Sequence, residues 1–105
     1  MQTVNVARDF TRFPSGRYKR NGATSGEAFR EQFLEPPLLK GEDVTVELDG
    51  TLGYGSSFLE EAFGGAVRTT KLQPEKVLRH LRIVSNDEEL VAEVRQYILE
   101  AKPAP

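Results

Sequence analysis

The side chains best placed for chemistry lie in the stretch Val44 to Phe63, whose centre reads Leu48-Asp49-Gly50-Thr51-Leu52-Gly53-Tyr54-Gly55-Ser56-Ser57-Phe58. It passes from strand to loop to helix. Such a junction points backbone N–H groups and the positive end of a helix dipole at whatever sits there, which suits an anion or a phosphorylated side chain. Ser56 and Ser57 supply hydroxyls at that point. The Gly-Lys-Ser/Thr ending of a Walker A loop is absent, and so is the Gly-x-Gly-x-x-Gly dinucleotide fingerprint. Gly53-x-Gly55 alone is a weak signal. The plainer reading of Ser56 and Ser57 is that they turn the chain and cap the helix, a role worth about 1 kcal/mol for a good cap.

A second concentration of chemistry lies upstream. Arg8, Arg12, Arg17, Lys19 and Arg20 outnumber the single nearby acid, Asp9, and Phe10, Phe13 and Tyr18 are interspersed. Arginines and aromatics together can hold phosphates and stack bases, so Arg8, Arg17, Lys19 and Arg20 are candidate anion-binding residues. The plainer reading is a solvated loop whose aromatics anchor to the core, and no recognisable RNA-binding motif accompanies it. His80 has no Ser/Asp triad context, and Glu60 and Glu61 are expected to project in different directions from a helix, on a charged solvent face. No catalytic constellation emerges. The expectation is a protein that binds and does not catalyse, with no cofactor.

Composition narrows the classes further. The chain has 105 residues, 38% hydrophobic and 29% charged, which suits one water-soluble globular domain. Its apolar runs are only a few residues long, and the N-terminus lacks the pattern of a secretion signal, so a cytoplasmic location is expected. With no cysteine and one histidine, thiolate and multi-histidine metal sites are excluded. The net charge of -2 argues against nonspecific nucleic-acid binding by the whole surface.

The elements that must position these residues follow from periodicity. Thr3 to Val6 reads as a short strand, and Phe10 to Gly22 as loop with an edge strand around Arg17 to Lys19. A helix starts at Thr24, with Glu27 completing a capping box, carries Phe29 and Phe33 on one face, and is disrupted after Glu35 by Pro36 and Pro37. Gly41 to Leu48 is the clearest strand because Val44, Val46 and Leu48 alternate with Thr45 and Glu47. Ser57 and Glu60 form a second capping box ahead of a helix in which Leu59, Ala62, Phe63, Ala66 and Val67 share a stripe. Gly64 and Gly65 within it mark either a close helix-to-strand approach or a fray. Pro74 starts a single turn, Leu81 to Val84 forms the last strand, and Ser85 with Glu88 caps a final helix that Pro103 closes. Residues 1–102 thus make one domain and 103–105 a short frayed tail. The fold class is α/β, with a mixed or mostly parallel sheet of about four strands and three main helices.

The strand Val44 to Leu48, the turn Tyr54-Gly55-Ser56-Ser57 and the helix Leu59 to Val67 resemble the STAS domain, the fold of anti-sigma-factor antagonists. They are closer still to a bacterial STAS-like family of unknown function, which Asn5 to Phe10 and Gly16-Arg17-Tyr18 also resemble. STAS domains proper carry Asp-Ser-Ser/Thr-Gly at this turn, whereas here Gly55 precedes the serines and Phe58 follows them. The resemblance implies a regulatory domain that docks to a protein partner, an ATPase or kinase of the histidine-kinase-like fold. It places the docking surface at Tyr54, Gly55, Ser56, Ser57 and Phe58, with Arg8 and Arg17 along the same edge. It also makes Ser56 the candidate phosphorylation residue. A phosphate there would add about -1.5 to -2 charges at a helix start. The alternative from the residues themselves is a nucleotide- or nucleic-acid-binding module built on the basic loop.

Overall fold

Three short parallel strands form the sheet, β1 (Gln2–Asn5), β2 (Val44–Glu47) and β3 (Leu81–Val84), in the spatial order β1-β2-β3. The computed structural model describes residues 2–105. Register is set by the alternation of apolar side chains: Val4, Val46 and Ile83 are aligned, as are Thr3, Thr45 and Arg82 on the opposite face. Val4, Val44, Val46 and Leu81 are buried beneath the helices, while Thr3 and Arg82 are exposed and Thr45 is half-buried. The molecule is therefore two layers, helices on one face of the sheet and solvent on the other. That is uncommon for parallel strands, which usually bury both faces.

Parallel neighbours need crossover connections, and here helices supply them. The first, α1, is a continuous helical rod over residues 26–39, with a wider π-type stretch at Arg30–Leu34 between two α-helical ends. This corrects the expectation that Pro36 and Pro37 end the helix after Glu35. Proline cannot donate to the carbonyl four residues back and crowds it. The π-turn, in which the Glu35 N–H reaches the Arg30 carbonyl, resets the ladder so that both prolines fall in the first turn of a new α segment, Glu35–Leu39. The second crossover combines α2 (residues 56–70, with its own π stretch at Glu60–Gly64) and α3 (Pro74–His80). The last helix, α4 (Glu88–Glu100), packs on α2 and α3.

Several local expectations shift. No strand forms at Arg17 to Lys19, where a 3-10 turn, Lys19–Asn21, follows extended backbone; among the described residues the parallel sheet has three strands, close to the expected four. The turn expected at Pro74 is a seven-residue helix that runs directly into β3, leaving His80 at the helix end, with Nδ1 2.8 Å from Asp43 Oδ1. The three capping boxes are displaced. Ser25, not Thr24, caps α1 by accepting from the Ala28 N–H at 3.1 Å. Gly55 precedes α2 without a side-chain cap. Asp87 caps α4 by accepting from the Leu90 N–H at 3.1 Å, and Ser85 instead donates to Asp49 at 2.6 Å. The tail is tied at one point, where the Ala104 N–H donates to the Arg68 carbonyl.

Aromatic rings fill the space between α1, α2 and the first loop. Phe29 lies 5.4 Å from Phe10, 6.0 Å from Phe58 and 6.2 Å from Phe63, centre to centre, and so joins three segments. Such contacts add to the area they bury by about 1 kcal/mol per pair.

Candidate functional site

All three strands end on one side of the molecule, and in parallel α/β sheets that side is where ligands and partners commonly bind. Two loops meet there. The Leu52 N–H donates to the Arg12 carbonyl at 2.9 Å, and Gly50 lies beside Ala7, so the basic loop and the glycine-rich turn form one surface. Leu52, the donor of that hydrogen bond, is 70% exposed, and Phe13, next in the chain to the acceptor Arg12, is 61% exposed. They are large apolar side chains left in water.

The five residues expected to bind a partner divide in two. Gly55, Ser56 and Ser57 are exposed at the start of α2. Phe58 is fully buried, against Phe10, Phe29 and Tyr54, and so cannot touch a partner without unfolding the cluster. Tyr54 is half-buried, and its hydroxyl donates to the Leu48 carbonyl at 2.7 Å, tying the turn to the strand end. Burial pushes the Tyr54 phenol up to about 12. Spacing alone could not separate these roles, because a residue two places into a helix faces the core or the solvent according to where the helix begins.

The basic loop is largely neutralised from within. Arg8 bonds Asp9 through two nitrogens, each at 3.0 Å, and Lys19 reaches Glu31 at 2.6 Å. Arg17 donates to Glu60 at 2.6 Å and to Glu61 at 3.3 Å, and Arg20 stacks over the Tyr18 ring at 4.9 Å. Of the four candidate anion-binding residues, three are already occupied by carboxylates. Two of those carboxylates, Glu60 and Glu61, corrected the picture of a solvent face: they anchor an ion network.

Arg30, 3% exposed, donates through Nε to Glu35 at 2.6 Å and through Nη1 to the Glu61 carboxylate and backbone carbonyl. Arg68 bonds both oxygens of Glu60, at 2.7 and 3.1 Å. Three arginines and three glutamates thus balance between α1, α2 and the first loop. Hydrogen bonds from Arg68 and, after them, from Arg17 hold Glu60 below the ordinary carboxylate range despite its partial burial. Burial works against the charge on Arg30, but its bonds to Glu35 and Glu61 outweigh that and raise its pKa. Gly65 makes room: a Cβ there would stand 2.5 Å from Arg30 Nη1. Gly64 faces the Glu60 carboxylate and the Tyr97 carbonyl of α4, so the pair is neither a fray nor a helix-to-strand contact: Gly65 clears the buried guanidinium and Gly64 the carboxylate beside it. Glycine next to a lone arginine of unknown position gave no signal of this in the sequence.

No helix among the described residues is long and apolar enough to cross a membrane. No curated protein and no solved structure matches the chain. A family model described as a STAS-like domain of unknown function matches residues 25–90, from the cap of α1 through β3 to the first turn of α4. The basic loop and β1 precede the matched region. The match takes in the strand, turn and helix on which the resemblance was noted, and the chain belongs to the STAS-like domain family of unknown function.

Proposed function

We propose that this domain is a regulatory module that acts by binding another protein, in the manner of an anti-sigma-factor antagonist, and that it performs no catalysis of its own. The observation that carries the reading is the juxtaposition of exposed Gly55, Ser56 and Ser57 with exposed Phe13 and Leu52 at the end of the sheet where α2 begins. Exposed apolar side chains on the same loops as exposed turn hydroxyls make a surface suited to a protein groove. Tyr54 and Phe58 hold that surface from below. The partner we favour is an ATPase or kinase of the histidine-kinase-like fold, with phosphate on Ser56 controlling the contact. There it would lie one helical turn from Glu60, and its charge would repel a docked acidic surface.

The test is capture of partners by the tagged domain from its native cells, with a reconstituted binding assay on any ATPase recovered. Ser56→Asp and Leu52→Asp are expected to weaken that binding at least tenfold while leaving the fold intact. Unchanged binding by both variants would move the contact elsewhere. A nucleic-acid role draws little support from the loop, since Arg8, Arg17 and Lys19 already face carboxylates. Salt-sensitive binding to single-stranded nucleic acid, lost on removal of Arg12 and Arg20, would revive it.

A further inference from the structure

β3 lies at the edge of the sheet, and no other strand among the described residues pairs with its outer side. The Leu48 N–H donates to the Val84 carbonyl at 2.9 Å, so Val84, and by alternation Arg82, direct their peptide groups toward β2. Ile83 therefore turns its N–H and C=O outward. The opposite edge is better closed: the outward N–H of Asn5 is taken by Asp9 Oδ2 at 2.8 Å. β3 has no proline, lysine or bulge, and Arg82 is the one charge on this edge strand. An open groove lined by Arg82, Ile83, Val84, Ser85, Glu88 and Val91 follows this edge, and Val84 is 38% exposed.

We propose that β3 pairs antiparallel with β3 of a second copy of this chain, about a twofold axis at Ile83. The edge matches itself. Two Ile83 residues would exchange both hydrogen bonds, and the Leu81 carbonyl of each copy would meet the Ser85 N–H of the other. The charges select a second copy over an unrelated peptide. Arg82 and Glu88 lie in the same groove with opposite sign, and neither has an ion-pair partner among the described residues. A twofold axis turns each Arg82 toward the Glu88 end of the other copy, so the complementary contact forms twice. Pairing joins two three-stranded sheets into one of six, a common size. The strands are short and the contact small, so the dimer is weak and depends on concentration.

The experiment is sedimentation of the full chain over a concentration series, with amide hydrogen exchange measured in parallel. The average mass should rise from monomer toward dimer, and exchange at the Ile83 amide should slow in step, while the Thr3 amide on the other edge does not change. Val84→Lys, which sets a cation opposite Arg82 of the other copy, should weaken association several-fold without moving the melting temperature. Arg82→Glu and Glu88→Arg should each weaken it, and the double variant should restore it. A monomer mass at every concentration overturns the proposal, as does a dimer in which Ile83 exchange is unchanged.

Discussion

Arg30 and Glu61 form an ion pair across the interface of the two long helices, with Arg30 3% and Glu61 8% exposed. Two charges so far from water are stable only as a pair, since each is costly to bury alone. Glu61→Ala should therefore lower stability by about 3 kcal/mol in urea unfolding, even though Glu35 still faces Arg30. Replacing both, as Arg30→Met with Glu61→Leu, should recover only part of that loss, because an apolar pair needs no desolvation but Glu35 and the Glu61 carbonyl then lose their bonds to Arg30.

Acid should loosen the same network. The folded pKa of Glu60 is depressed below its ordinary value of 4.5, so its charged form is favoured in the native state. Its contribution is complete above that value and is lost as pH falls through the depressed folded value. Thermal melts of the wild type below pH 4.5 should thus fall faster than those of Glu60→Gln, which carries no such titration.

Phe58 distinguishes packing from docking. Phe58→Ala removes a fully buried ring from the aromatic cluster and is expected to cost about 3 to 5 kcal/mol. Chemical denaturation would register this directly. Leu52→Asp, by contrast, changes a side chain that is 70% exposed and should leave the unfolding midpoint nearly unchanged.

Tyr54 should show its tether in two ways. Tyr54→Phe loses the bond to the Leu48 carbonyl and should destabilise by about 1 kcal/mol. In alkaline absorbance titration the Tyr54 phenol should ionise near 12, up from its ordinary 10. Because the folded value is the raised one, the stability this supplies is present below pH 10 and declines as pH climbs toward 12.

Gly26 reports how closely the helices approach. A Cβ at Gly26 would strike the Phe58 carbonyl oxygen, a backbone atom that cannot rotate away, and would stand 3.1 Å from Glu61 Cβ. Gly26→Ala should destabilise by about 2 kcal/mol, although alanine is the better helix former by about 1 kcal/mol. Calorimetry of this variant against wild type checks the sign.

The sheet and the helices were largely legible in the residues. Val44, Val46 and Leu48 announce a strand by period alone, and Leu90, Val94 and Ile98 announce α4. What stayed hidden were features that depend on partners distant in sequence. Ser25 and Asp87 cap their helices in place of Thr24 and Ser85 because the caps are chosen by where the chain enters each helix, and Asp49 claims Ser85. Pro36 and Pro37 looked like a stop because the π-turn before them leaves no mark in composition. The candidate site was readable as a segment but not as a surface. Ser56 and Phe58 are two residues apart and face opposite environments, and the pairing of Arg17 with Glu60 spans 43 positions.

The direction of the strands also determines how the domain can be attached to anything else. Gln2 opens β1 at the end of the sheet opposite the Ser56 turn, and the chain after α4 returns to the Arg68 carbonyl, near the far end of α2. Gln2 and Ala104 thus both lie on the side away from the exposed serines. A neighbouring domain, a tether or a purification tag joined at either terminus would leave the end bearing Phe13, Leu52 and Ser56 clear, so the module can be carried by a larger assembly and still present that end outward.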